Sequence, residues 1–395
     1  MINEHYLEML GHKSVIRELA EYAAVRGKEI GGENVFDFSL GNPSVPAPES
    51  FTDAAIRLLQ TEEPVRLHGY SPTLGIPSVK EKIAASLNRR FGMNYTAGHI
   101  FPASGCAGAV AHALRVVTKP GDKVLVQAPF FPEYIPYIND TGAQIEIIPA
   151  RFEDFQINFE ALEQMLQPGV AAILINSPNN PSGVAYTGEI LEKLSSLLAE
   201  KSKEFGYNLF LISDEPYREI AFGGREIPYP ARFYPHTLTC YSFSKSLSVP
   251  GERIGYVAVC PECEHAEDIV PMCGQVSRGI GHNCPSSLIQ LAAAEAVDDT
   301  ADLSVYETNM ELLYETFREL GFEVKKPDGT FYIMPKALED AVSFCRKAQK
   351  YDLIFVPCDA FHAPGYFRVA YCIDTEKVRR SLPVIRRFVK EVYGG

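Results

Sequence analysis

Apolar residues recur along the chain in short runs of strand length, set between longer segments of helical spacing. The runs at 124–127, 144–148, 171–176, 209–213, 237–241 and 254–259 predict strands. Several are nearly continuous in apolar residues, the pattern of strands covered on both faces. Residues 159–166 and 189–205 carry apolar positions at helical intervals and predict amphipathic helices. Strands alternating with helices predict an α/β fold, with a mostly parallel sheet lying between helices. After Asp298-Asp299-Thr300 the texture changes. Amphipathic helices at about 301–320 and 376–391 flank short strands near 322–325, 331–334 and 366–371. That pattern predicts a smaller α+β domain, joined by a helix at about 12–27. The expected division is 41–285 for a large domain, and 1–40 together with 286–395 for a small one.

Composition narrows the function classes. A 395-residue chain with 22% charged residues is neither disordered nor fibrous, and its length suits about two domains. The formal net charge of −13 repels phosphate backbones and disfavours general nucleic-acid binding. The N-terminus has neither a basic start nor an apolar run, and no apolar stretch is long enough to span a bilayer. A soluble cytoplasmic protein is expected. The nine cysteines are odd in number and scattered, which reads as free thiols in a reducing compartment.

In open α/β sheets, ligands sit beyond the carboxyl ends of the strands. The residues there are distinctive. The run at 171–176 leads into Asn176-Ser177-Pro178-Asn179-Asn180-Pro181-Ser182-Gly183, a tight loop or an amide presented to a ligand. The run at 209–213 leads into Asp214-Glu215-Pro216-Tyr217, an N-cap or a carboxylate awaiting a cation. The run at 237–241 leads into Ser242-Phe243-Ser244-Lys245, a lysine that snorkels to solvent or an amine held for Schiff-base chemistry. Ser104-Gly105-Cys106-Ala107-Gly108 precedes an apolar helical stretch, which suits close helix packing or an anion at a helix start. Each feature alone has a structural explanation. Taken together, an amide, a carboxylate, an amine and an anion cradle fit a phosphorylated pyridine aldehyde such as pyridoxal phosphate.

With these residues the chain resembles the fold-type I pyridoxal-phosphate enzymes, specifically the class I/II aminotransferases. The resemblance spans nearly the whole chain and is carried by Ser242-x-x-Lys245 with Arg253 eight residues on, Asp214-x-x-Tyr217, and Asn180-Pro181. It implies that Lys245 forms the Schiff base with the cofactor and then shuttles the substrate's α-proton. Asp214 would pair with the pyridine nitrogen, and Asn180 and Tyr217 would bond its phenolic oxygen. Ser104, Gly105, Cys106, Ser242 and Arg253 would bind phosphate; the family often carries a hydroxyl or a small residue where this chain has Cys106. Phe131 would stack on the ring. Tyr70 would reach the phosphate of a neighbouring subunit, which implies a homodimer. Gly41 would line the substrate loop, and Arg368 would clamp the substrate α-carboxylate through its planar fork.

The resemblance implies ping-pong transfer of an amino group from an L-amino acid to a 2-oxo acid. Arg278, five residues before Asn283-Cys284-Pro285, falls where aspartate-type relatives hold the distal carboxylate, so aspartate or glutamate is one expectation. Aromatic amino acids are the rival, given Phe130, Phe131 and Tyr217. A C–S β-lyase on the same fold and a catalytically silent ligand sensor are the alternatives. Cys260-Pro261-Glu262-Cys263 with His265 and Cys273 offers one Cys-x-x-Cys, short of the four ligands structural zinc needs, and no metal is expected.

Overall fold

The computed structural model describes Ile2, residues 4–10 and residues 14–394. Its strands are β1 (Phe36–Asp37), β2 (Ile100–Ala103), β3 (Lys123–Gln127), β4 (Gln144–Ile148), β5 (Val170–Asn176), β6 (Phe210–Asp214), β7 (Thr237–Ser242), β8 (Gly255–Val259), β9 (Tyr332–Ile333), β10 (Leu353–Ile354), β11 (Val356–Pro357) and β12 (Phe367–Ala370). Seven of them form one sheet in the order β2-β8-β7-β6-β5-β3-β4. The pairs from β7 through β6, β5 and β3 to β4 are all parallel. Only β8 runs against its neighbours, antiparallel to both β7 and β2. This is the α/β architecture that the alternating pattern predicts.

The continuous apolar runs have a simple cause. Side chains alternate across a strand. Val124, Val126, Ala172 and Leu174 enter one core layer, together with the helices Pro77–Phe91, Gly105–Val117 and Ala266–Ile280. Leu125, Ile173 and Ile175 enter the opposite layer, under the helices Phe159–Met165 and Gly188–Phe205. Both faces are covered, so the middle positions of these strands are apolar and polar residues stand only at their ends. The second of those helices starts where Thr187 accepts from the Ile190 N–H and stops at Gly206, whose φ of +75° is left-handed.

A separate, phenylalanine-rich core joins the helices Ser304–Glu319, Ala341–Gln349 and Thr375–Tyr393 to the small antiparallel sheet β11-β12-β9. Phe344 stacks on Phe367 with ring centres 4.6 Å apart. β1 pairs in parallel with β10, which ties the N-terminal segment to this part of the chain. Tyr217, Ile220 and Phe222 leave the end of β6 and enter this second core. The chain after β6 therefore bridges the two halves.

Three details differ from the sequence expectation. β2 was not predicted; it lies at the sheet edge and contains Pro102, which an edge strand tolerates because it needs fewer N–H donors. The strand expected at 322–325 is reduced to a single bridge, Val324 to Pro335. The helix expected at about 12–27 runs over Val15–Ile30, and residues 12 and 13 lie outside those described. The helix Ser287–Glu295 packs with the first core, through Ala292, Ala293 and Ala294.

Candidate active site

The carboxyl ends of the central strands converge on one cavity of about 270 Å³. The sheet register puts Asn176, the last residue of β5, beside Asp214, the last of β6. The Asn176 side chain ties this rim together. Its Nδ2 donates to the Asp214 carbonyl at 2.8 Å, and its Oδ1 accepts from the Asn180 N–H at 2.7 Å.

Asp214 is buried, and among the described residues no cation pairs with it. Its carboxylate instead accepts from two neutral donors. The Cys106 thiol lies 2.6 Å from Oδ1, and the Tyr134 hydroxyl donates to Oδ2. Burial pushes the Asp214 carboxyl up to about 6, against the pull of those two hydrogen bonds. The same burial, with Asp214 adjacent, holds the Cys106 thiol and the Tyr134 phenol well above their usual ranges.

Lys245 sits in a single helical turn, Phe243–Ser246, that continues directly from β7. Ser242 caps this turn by accepting from the Ser244 N–H. The Lys245 ammonium donates to the Gly41 carbonyl at 2.7 Å and lies 5.4 Å from the Phe331 ring centre. Burial foremost, helped by the charges of Arg253 and Arg368, lowers its pKa to about 8.

Arg368, on β12, is 1% exposed. Its Nη1 donates to Asn180 Oδ1 at 3.0 Å, its Nη2 donates to the Ser39 carbonyl at 2.6 Å, and its Nε has no partner. The guanidinium lies over the rings of Tyr332 and Phe361, at 4.5 and 5.0 Å. Among the described residues no carboxylate pairs with it. A buried guanidinium without a counter-ion is costly, and a carboxylate ligand would supply one.

At the opposite end, Arg253 (φ +52°) donates to the Pro250 carbonyl and approaches the Ser104 carbonyl at 3.4 Å. Gly105 opens the helix Gly105–Val117 with φ +73°, and a Cβ there would come within 2.6 Å of Arg253 Nη2. The missing side chain lets a guanidinium and free helix N–H groups face one spot, an arrangement suited to phosphate.

Most of the residues singled out from the sequence meet here. Gly41, Cys106, Phe131 and Asn180 line the cavity, as do Asp214 and Tyr217. So do Ser242, Lys245, Arg253 and Arg368. Ser104 and Gly105 border it through Arg253. Tyr70 and Arg278 do not line it. Tyr70 is fully exposed in a second cleft, beside Asn283 and Cys284. Arg278 is exposed in the last turn of the helix Ala266–Ile280. Among the described residues no group of three or more His, Cys, Asp or Glu side chains could hold a metal ion. None of the described helices is long and apolar enough to cross a membrane.

Residues 33–385 match the family profile of the aminotransferases of class I and II. The chain belongs to that family. This aminotransferase is 29% identical over 366 residues to the aspartate aminotransferase of Thermotoga maritima, covering 91% of this chain and 92% of that one. It is 27% identical over 403 residues to aromatic-amino-acid aminotransferase 2 of Thermococcus litoralis, covering 98% and 97%. A solved structure of an amino transferase from Eubacterium rectale matches it with a TM-score of 0.96 at 40% identity, over 100% and 99% of the two chains. The activity is pyridoxal-phosphate-dependent amino-group transfer, and neither the lyase nor the silent-sensor reading finds support among these relatives.

Four side chains of the aminotransferase site escaped the sequence reading: Asn176, Tyr134, Tyr332 and Arg218. Asn176 was visible as a strand-end amide. Tyr134 is 80 residues from Asp214, and nothing local marks it as a partner. Arg218 lies at the centre of a buried cluster behind Tyr217. It pairs with Glu215 at 3.0 Å, donates to the Tyr256 hydroxyl, and stacks over the Tyr241 ring at 4.3 Å. Glu219 in turn pairs with Arg90 at 2.6 Å. This cluster clamps the 214–219 stretch that carries Asp214 and Tyr217.

Proposed function

We propose that this aminotransferase moves an amino group from an acidic or aromatic L-amino acid to a 2-oxo acid, using pyridoxal 5'-phosphate held on Lys245. The observation that carries this reading is a set of three charged groups around one cavity, two of them buried and Lys245 partly so. The Lys245 amine, the Asp214 carboxylate and the Arg368 guanidinium have no ion-pair partner among the described residues. A phosphorylated pyridine and an amino-acid carboxylate complement all three, so the residues present fit the cofactor.

When bound, the cofactor supplies an aldehyde for imine exchange and a ring that accepts the electrons left at the substrate Cα. In this reading the protein does the rest. Asp214 holds the proton on the ring nitrogen. Asn180 and Tyr217 donate to the phenolic oxygen. The N–H groups and side chains of Ser104, Gly105, Cys106 and Ser242, with Arg253, hold the phosphate. Phe131 covers the ring face and keeps water away. Arg368 grips the α-carboxylate in two places while Gly41 lines the substrate side, which fixes the Cα–H bond toward Lys245. The neutral Lys245 Nζ would take the Cα proton and return it at the carbon on the far side of the substrate nitrogen. A second 2-oxo acid reverses the sequence, which gives ping-pong kinetics.

The cavity lining includes apolar and aromatic side chains, Ile16, Phe131, Tyr137 and Tyr332, the last of them under Arg368. That supports an aromatic side chain. The relatives named for aspartate support an acidic one. In the acidic reading Arg278 holds the distal carboxylate from a second subunit, and Tyr70 reaches the same neighbouring site to bind phosphate. The enzyme is then a cytoplasmic homodimer, with 41–285 as the large domain and 1–40 with 286–395 as the small one.

Borohydride reduction of the loaded enzyme followed by peptide mapping tests the assignment. The expected result is a pyridoxyl phosphate mass on Lys245; a mass on another lysine overturns it. A donor and acceptor screen on the purified enzyme, read as 2-oxo acid formed, then assigns the substrate class. Arg278→Ala should lose activity on acidic donors and keep it on aromatic ones.

A further inference from the structure

Tyr332 lines the cavity, and the assignments above give its hydroxyl no role. It is 3% exposed and follows Phe331, whose ring faces the Lys245 amine. Its hydroxyl lies 3.1 Å from that of Tyr217. Among the described residues neither hydroxyl has another hydrogen-bond partner, so each buried phenol is satisfied by the other alone. The Tyr332 ring cannot drift. The Arg368 guanidinium lies over it at 4.5 Å, and the Tyr217 ring meets it edge-on with centres 5.6 Å apart. Its backbone N–H donates to Thr330 Oγ1 at 3.0 Å. Gly41 leaves room for its tip, since a Cβ there would fall 1.9 Å from the Tyr332 oxygen.

We propose that Tyr332 is a positioning residue whose hydroxyl donates to that of Tyr217 and so holds the Tyr217 proton on the cofactor's phenolic oxygen. The inference rests on the reading of this cavity as the pyridoxal-phosphate site. The reasoning is one of donors and acceptors. A phenol has one proton to give and two lone pairs to receive. Once Tyr217 gives its proton to a ligand oxygen, it can no longer donate to Tyr332. Tyr332 must then be the donor, because no other acceptor is in reach. A phenol that accepts one hydrogen bond is polarised into a stronger donor of the next. The pair becomes a two-step relay ending on the ligand, and its first member is fixed by the cation that grips the substrate carboxylate.

The effect is readable without turnover. Donors to the phenolic oxygen stabilise the deprotonated form of the bound chromophore and lower the pH midpoint of its visible absorbance. Tyr332→Phe keeps the ring beneath Arg368 and removes only the hydroxyl. Absorbance titration of the loaded enzyme should place its midpoint higher than that of the unmodified enzyme, by about half a pH unit. Tyr217→Phe should move the midpoint further in the same direction. The double variant should match Tyr217→Phe alone, because without Tyr217 the Tyr332 proton has nothing to act through. An unmoved midpoint in Tyr332→Phe, or shifts that add in the double variant, overturns the proposal. Failure of the unmodified enzyme to develop a visible band with pyridoxal phosphate would sink the site reading itself, a separate result.

Discussion

The thiol of Cys106 and the carboxylate of Asp214 meet at 2.6 Å, S–H to Oδ1. The sequence placed Cys106 with the phosphate ligands, and its backbone does open the helix Gly105–Val117 at that spot. The side chain donates instead to the Asp214 carboxylate at the strand-end rim. Burial foremost, with the neighbouring carboxylate, disfavours a thiolate at Cys106.

Cys106 should therefore stay protonated and slow to react although it borders an open cavity. Iodoacetamide at pH 8, followed by peptide mapping, should leave Cys106 unlabelled in the folded enzyme and label it on unfolding. Rapid native labelling of Cys106 contradicts the geometry.

Asp214 should cost stability until a cation arrives. Its folded pKa, about 6, is raised above the ordinary carboxylate value of 3.8, so between these pH values the folded state binds more protons than the unfolded one. Stability of the cofactor-free protein should fall as pH rises through that window. Asp214→Asn removes the charge and should make the cofactor-free protein more stable at pH 7.5, by about 1–3 kcal/mol. The gain should shrink toward pH 4, and the variant should lose nearly all transaminase activity. Denaturant titration at the two pH values checks the sign; a variant less stable than the parent at pH 7.5 refutes it.

Lys245 gives a second pH dependence, from the same cause but with the pKa moved the other way. Its folded pKa is lowered to about 8 from 10.5, and only the neutral amine attacks an aldehyde. The rate at which the cofactor-free enzyme captures pyridoxal phosphate should climb with pH and level off above about 8. Stopped-flow absorbance between pH 6 and pH 9.5 follows it directly. A rate still climbing steeply toward pH 10 places the amine in an ordinary aqueous setting.

Arg218 should matter through stability first. Arg218→Ala strands Glu215, whose side chain is 2% exposed, without its cation. Breaking a buried pair this way costs about 3–5 kcal/mol. Replacing both partners, with Arg218→Met and Glu215→Gln together, should cost much less. Urea unfolding of the three proteins measures the difference, and a loss below about 1 kcal/mol for the single variant would show the pair to be solvated.

The parallel sheet was readable because its strands are buried on both sides, so their apolar character is unbroken in the sequence. β2 was not, because four residues containing a proline carry no such signature. The strand-end groups Asn180, Asp214 and Lys245 were legible for the same reason the strands were: each is a polar residue where an apolar run stops. Tyr134 and Tyr332 act across 80 and 115 residues of separation and announce nothing locally. Tyr70 and Arg278 carry a motif and lie outside the cavity of their own chain, where the residues around them do not report a role.

Within the seven-stranded sheet β8 alone runs backwards, and much follows from that reversal. After Lys245 the polypeptide does not cross to the far rim, as every parallel crossover must. It doubles back within a dozen residues and delivers Arg253 to the mouth it has just left, level with Ala103 across the Gly255 pairing. Lys245 and Arg253 therefore share one short tether whose span is set by backbone geometry. An insertion of even two residues between 246 and 252 would uncouple them, so homologues that keep the chemistry should vary freely in loop length almost anywhere but there.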